Sequence, residues 1–261
     1  MHEIASQPSF GYFTTALLAT AAVALSSGTQ FLVIGLRHQR ELMYQAYAVL
    51  CICIAALALS NVLLDCATTL AQATLALRLM YASSIFSFPA FIVFVSTYTR
   101  KPVSRFAFGV ILMVATGFFW FDLRAPYGLH ASLSAGAPLV LPWGESLFTL
   151  KVQPSVASQA FHSLTYVVFL WALLRSWRFY RGGQARPGLL LSICLLVQFT
   201  AMLWGDIVID IFDQPYPYLD AFAFLPFVLL MGVSLASQLR ARTLQLEQTT
   251  LELRAEAETR R

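Results

Sequence analysis

Arg78, His162, Tyr166, Asp206 and Asp210 stand in runs that are otherwise apolar. An ionisable group inside a hydrocarbon layer is costly, so each of these should meet a partner, a cavity or a ligand. Asp206, Asp210 and Asp213 recur at i, i+4 and i+7, which puts all three carboxylates on one face of a helix. Gln159, His162 and Tyr166 recur at i, i+3 and i+7 and share a face as well. Asn61 and Ser60 add neutral hydrogen-bonding groups on another segment. Such a set could hold an anionic headgroup on Arg78, or a cation or proton on the aspartates. Arg78 and Asp206 could equally only lock two helices together, since opposite charges at one depth lower each other's cost.

These residues need helices to carry them. The chain has 261 residues, 58% of them hydrophobic and only 11% charged. A soluble domain has roughly 45–50% apolar and about 25% charged residues. The mean hydropathy of +0.69 agrees. A soluble globule, a disordered chain and a nucleic-acid-binding domain are excluded. A bilayer core needs about 20 apolar residues per helix. Seven stretches qualify: 11–36, 44–64, 69–98, 103–121, 156–175, 187–211 and 218–239. None alternates as barrel strands do. The expected fold is all-α, a polytopic seven-helix transmembrane bundle (1–239) followed by a cytoplasmic coiled-coil connector (240–261). Met1–Phe10 has no Lys or Arg, so the first span is a poor signal peptide and is expected to be retained.

Charge in the gaps sets orientation. Arg37, Arg40, Arg100, Lys101, Arg105, Arg175, Arg178, Arg181, Arg186, Arg240 and Arg242 all fall in alternate gaps. Lys and Arg concentrate on the cytoplasmic side. The N-terminus is then outside and the C-terminus inside, in a bacterial inner membrane, and an odd number of spans is what this requires. Arg78 lies ~12 Å, and Asp206 ~10 Å, from the outer ends of their helices by the helical rise. The polar groups therefore gather in the outer half of the bundle.

Residues 122–155 form the one long connection. Its Pro-Trp-Gly turn and the partial alternation in 141–152 predict a short extracellular hairpin or cap. Pro89 and Pro226 each remove a backbone donor within a span and should kink it. Cys51, Cys53, Cys66 and Cys194 have neither metal-ligand nor disulfide spacing and are expected as buried small apolar residues.

The last span runs on without Gly or Pro to Arg261. Leu239, Leu246 and Leu253 repeat every seven residues, with Ala236, Thr243, Thr250 and Ala257 in the companion seam position. That is a weak heptad, suited to a homodimer whose helix register can change. The pattern reaches Arg261 uncapped, so a further domain is expected beyond it.

Several chemistries are excluded by missing residues. The only lysines are Lys101 and Lys151, so the last helix has none for a retinal Schiff base. His162 is the only histidine in a span, too few for a paired haem site. No Gly-x-Ser-Gly run and no phosphate-cradling glycine loop occurs. No cofactor is expected.

The runs LPWGE (141–145), FHSLTY (161–166), RFYRGGQARPGLLL (178–191), WGDIVID (204–210), PYLDAFAFLPFVLLMGVSLASQLR (217–240) and LRAEAETRR (253–261) resemble the N-terminal seven-transmembrane input region of bacterial membrane sensor histidine kinases. The resemblance covers the fourth span onward, and the exit-helix type also precedes diguanylate cyclase modules. It implies a signal receptor whose downstream kinase domain phosphorylates itself on histidine and passes the group to a response regulator. This chain carries neither a phosphoacceptor box nor ATP-binding glycine motifs. The expected partners are the lipid bilayer, a small-molecule or lipid-like ligand, a second copy and that kinase. A channel or carrier with an acidic path and a simple membrane anchor are the alternatives.

Overall fold

The structure is a computed structural model that describes residues 11–37, 41–136, 138–206 and 219–259. Seven helices appear in chain order: α1 (Tyr12–Arg37), α2 (Leu42–Asp65), α3 (Leu70–Tyr98), α4 (Arg105–Arg124), α5 (Val156–Arg181), α6 (Ala185–Asp206) and α7 (Asp220–Thr259). All seven are long and apolar enough to cross a membrane. The chain is a multi-pass membrane protein built as an all-α seven-helix bundle.

Local sequence explains where the helices begin. Thr69, Ser104 and Ser155 sit in extended backbone and accept hydrogen bonds from the first free N–H groups of α3, α4 and α5. Ser155 also donates to the carbonyl of Leu129, which ties the start of α5 to the preceding loop. At the far end of α3, Arg100 takes φ +56° and Lys101 donates its N–H to Ser96, closing the helix.

α2 is the axis of the bundle, packed between α1 and α3 and touching α7. In its most apolar stretch 72% is buried, against 11% for α4, which lies outside α3 as a peripheral helix. Between Phe106 and Leu123 the exposed side chains of α4, among them Phe106, Val110, Met113 and Trp120, are apolar except for Thr116, whose hydroxyl donates to the Leu112 carbonyl. An exposed helix face this apolar suits lipid contact. α5, α6 and α7 form the other side, with α5 against α3 and α7 against α1.

Inside the bundle Tyr47 joins four helices. Its ring meets Phe31 of α1, Phe94 of α3 and Phe227 of α7. Its hydroxyl donates to the Val228 carbonyl at 2.5 Å and lies 3.1 Å from Ser27 Oγ. Lipid tails are as apolar as leucine, so such packing and polar contacts, rather than escape from water, hold membrane helices together.

Residues between α4 and α5 fold as two nested antiparallel pairs. The strands are β1 (His130–Ala135), β2 (Leu139–Val140), β3 (Ser146–Leu147) and β4 (Leu150–Pro154). β1 pairs with β4 and β2 with β3. The expected hairpin is present, with its tip at 141–145: Gly144 takes φ +86°, and the Leu141 N–H reaches the Glu145 carbonyl at 2.7 Å. The ladder also extends further back than the alternation in 141–152 indicated, since His130–Ala135 supplies the outer partner.

The hairpin defines one end of the bundle. The other end, from which α7 emerges, holds Arg37, Arg100, Lys101, Arg105, Arg175, Arg178, Arg181, Arg186, Arg240 and Arg242. There Arg175 donates to Thr99 Oγ1 at 3.0 Å and to the Lys101 carbonyl, and lies over the Trp171 ring. α7 itself runs 40 residues without interruption. Its first part is packed in the bundle through Ala221, Phe227, Val228, Met231 and Leu235. From Arg240 to Leu253 every residue is exposed.

Of the cysteines, Cys51 and Cys194 are buried as expected, Cys53 is half-buried and Cys66 is exposed. The expectation for Cys66 fails because α2 ends at Asp65, so Cys66 caps the helix outside the packed core.

Candidate functional site

A cavity of about 140 Å³ lies between α2, α3, α5, α6 and α7, in the half of the bundle nearer the hairpin. Leu50, Ile54, Phe88, Phe91, Phe161 and Phe169 give it apolar walls. Its polar lining is neutral at the level of residue type: among the described residues that line it there is no Asp, Glu, Lys or Arg.

Most of the polar groups there are already committed. Ser83, Ser84, Ser87 and Thr165 donate their hydroxyl hydrogens to carbonyls of their own helices at 2.7 to 3.0 Å. Such back-bonding is the ordinary fate of Ser and Thr in a helix. Tyr81 Oη lies 3.3 Å from His162 Nε2, a bond that links α3 to α5 across the cavity. The ring of Tyr81 also stands edge-on to Phe161 and His130.

Two side chains are left over. Asn61 of α2 is 2% exposed and Gln198 of α6 is 1% exposed. In both, the amide oxygen and the amide nitrogen have no hydrogen-bond partner among the described residues. Buried amides normally find partners, because an unmade bond costs about 1–3 kcal/mol per group. Here two donor–acceptor pairs, from different helices, line one cavity.

His162 thus lines the cavity, as its place in the span suggests. Tyr166, one turn further along, instead packs its ring on Phe199 of α6 at 6.0 Å. Gln159, expected on the same face, is exposed. Arg78 goes elsewhere too. Its Nη2 donates to the carbonyls of Ala125 and Pro126 at 2.6 and 2.9 Å, and Asp122 of α4 lies within its electrostatic reach. The ion pair expected between Arg78 and Asp206 presumes that α3 and α6 face one another. In the bundle α3 packs chiefly on α2 and α4, and α6 on α5 and α7. Asp206 closes α6 and its side chain lies outside the described set, as do Asp210 and Asp213. Gly205 and Leu219, at the edges of that segment, line the cavity.

Gln198 is not among the residues that the sequence analysis singles out. Its signal is a lone carboxamide in the run LLVQFT, a neutral polar group in the middle of an apolar span.

Above the cavity, His130 of β1 is tucked in with both ring nitrogens buried and unpartnered. Burial, and then the nearby His162, push its pKa down to about 4, so the imidazole is neutral at pH 7. Among the described residues no group of three His, Cys, Asp or Glu side chains is placed to hold a metal ion.

No family model matches the chain, and no curated protein matches it at a meaningful level.

Proposed function

We propose that the chain is the input module of a transmembrane signal receptor of the sensor-histidine-kinase type. A stimulus arriving from the hairpin side, taken as the cell exterior, alters the cavity and moves α7, which regulates a cytoplasmic kinase joined after Arg261. The positive-inside bias of the gaps supports this orientation, with a bacterial inner membrane as the setting.

The observation that carries the proposal is the continuity of α7. Phe224, near its start, lines the cavity, and the same helix leaves the opposite end of the bundle and continues to Thr259. Forty residues of helix are about 60 Å long. A change in cavity packing is therefore joined by one continuous helix to the exposed tail at the opposite end. Pro226 lies between the cavity-lining part and the exit, where a missing backbone donor softens the helix. The exposed tail with its leucine heptad fits a second copy, and a paired helix transmits rotation or register.

Of the residues first singled out, His162 is the best placed to sense an occupant. Arg78 acts as the clasp of the α4–β1 turn, and Tyr166 as a contact between α5 and α6. Asp206 and Asp210 remain candidates for ligand contact.

The test is a fusion of residues 1–261 to a kinase transmitter, reconstituted in membranes. Substitutions at Asn61, His162 and Gln198 should shift autophosphorylation at least several-fold while leaving the amount of folded protein unchanged. Unchanged kinase activity in all three, or ion flux through proteoliposomes containing the chain, overturns the proposal.

A further inference from the structure

We infer that the cavity binds a small neutral molecule with a compact apolar body and one group that both donates and accepts hydrogen bonds, such as a carboxamide or a lactam. This deepens the receptor proposal by naming the chemistry of what the site takes.

The inference begins with the accounting of polar atoms. The serine and threonine hydroxyls are spent on their own helices, and Tyr81 is bonded to His162. Among the described residues that line the cavity, only Asn61 and Gln198 carry both an amide N–H and an amide oxygen without a described partner, at 2% and 1% exposure. An amide is self-complementary: its N–H₂ donates to a carbonyl, and its oxygen accepts from an N–H or O–H. Two of them ask for a ligand group with both functions. A hydrocarbon leaves them unsatisfied.

Charge argues in the same direction. Among the described lining residues none carries a fixed charge to balance an ion. The neighbouring run 207–218 has no Lys or Arg either, so an anion would be desolvated there without a counter-charge, which is prohibitive, whereas a neutral amide needs only its hydrogen bonds. Size gives the third constraint. At about 140 Å³ the cavity matches a single ring or a short chain rather than a lipid tail; an apolar cavity of similar size accepts benzene. The walls of Phe88, Phe91, Phe161 and Phe169 suit a planar or branched apolar body.

Benzamide, with benzoate and toluene as its charged and apolar counterparts, tests this on the full chain in nanodiscs. Benzamide at millimolar concentration should raise Tm by about 2 °C or more and show saturation-transfer NMR contacts. Benzoate and toluene should do neither. The double variant Asn61→Leu/Gln198→Met should lose the benzamide response. It removes unpartnered polar atoms, so its own Tm should stay equal or rise. The comparison among the three probes on unmodified protein decides the matter even if that variant misfolds. No response to benzamide, an equal response to benzoate or toluene, or an undiminished response in a folded double variant overturns the inference. Because binding is read without any kinase, its failure leaves the fusion experiment standing, and failure of the fusion leaves a binding result intact.

Discussion

Glu145, at the tip of the hairpin, caps the first turn of α1 through Phe13 and Thr14. Its carboxylate accepts the Phe13 N–H at 3.0 Å, the Thr14 N–H at 3.3 Å and the Thr14 hydroxyl at 3.0 Å. Trp143 Nε1 donates to the same carboxylate at 2.8 Å. Residues 132 positions apart are thus joined at the one place where α1 has free N–H groups. A Cβ on Gly11 would stand 1.8 Å from the Glu145 carboxyl carbon, so a larger residue there would displace the capping carboxylate.

Glu145→Ala should therefore cost about 1 kcal/mol, the usual worth of an N-cap, seen as a lower Tm in nanodiscs. Burial alone would raise the pKa of this carboxyl; the donors from Trp143, Phe13 and Thr14 outweigh it and hold it below the ordinary range. A depressed folded pKa gives stability that is present above the unfolded value, 4.5, and is lost as pH falls through the folded value. Wild type should lose stability relative to Glu145→Ala only below about pH 4.5. A variant difference that is flat down to pH 3 sinks the cap.

His130 should set a separate, higher window. Its folded pKa of about 4 lies beneath the ordinary 6.5, so the unfolded chain takes up a proton that the folded chain refuses. Stability is then complete above pH 6.5 and declines as pH falls toward 4. The loss should be on the order of 3 kcal/mol at most. His130→Phe keeps an edge-on ring beside Tyr81 and has nothing to titrate. The Tm advantage of wild type over His130→Phe should shrink as pH falls from 6.5 to 4.5. Parallel Tm profiles for the two proteins would show that His130 is accessible to protons when folded.

Gly188 marks the tightest helix contact. A Cβ there would stand 2.7 Å from both Cα and N of Tyr180, and backbone cannot step aside. Around it Ser176 Oγ donates to the Gly188 carbonyl at 3.0 Å and lies 2.8 Å from Ser192 Oγ. Small residues of this sort let membrane helices approach closely. Gly188→Ala should lower Tm by several degrees. Gly109→Ala, on a helix face with nothing within 4 Å, should be neutral or slightly stabilising. Equal Tm values for the two variants would refute the close approach.

The seven spans are legible in the chain because a bilayer demands long apolar runs, and loops break them with Arg, Pro and Gly. The hairpin tip is legible from Pro142-Trp143-Gly144, yet β1 is not, because HASLSA has none of the β-branched residues that mark a strand. Charge is a good flag for functional depth but a poor guide to partners. Arg78 and Asp206 match in depth, while the packing order of the helices, which no spacing encodes, sends Arg78 to the carbonyls of Ala125 and Pro126. Gln198 is missed although Asn61 is noted, because a lone carboxamide in LLVQFT has no polar neighbour at helical spacing to mark a shared face.

Arg242 grips Glu41 through Nη1, at 2.6 and 2.9 Å to the two carboxylate oxygens, and so ties the emerging part of α7 to the start of α2. Both side chains are more than a third exposed, at 52% and 39%, so the pair should contribute less than about 1 kcal/mol. Arg242→Gln should barely change Tm. In the kinase fusion, however, it frees the exit of α7 and should move basal autophosphorylation at least twofold, with the exchange Glu41→Arg/Arg242→Glu bringing it back. If the single variant changes stability and not activity, the bridge is only a fastening.

The phase of the exit helix is the sharpest handle on transmission. Beyond Arg242, whose grip on Glu41 ties the helix to the bundle, residues 243–253 are all exposed. One residue inserted after Gln245 turns everything beyond it by about 100°, while seven residues nearly restore the original face with a drift of about 20°. Output of the fusion should therefore switch to a fixed high or low level with one inserted residue and regain its stimulus response with seven. Two glycines in place of Thr243 and Leu244 should uncouple the module, since they add flexibility where the helix has no other support. A tail that merely spaces the kinase from the membrane predicts a different series: output would be the same for one residue and for seven, and the glycines would be harmless. Measuring autophosphorylation across the three variants separates a rotating connector from a passive tether.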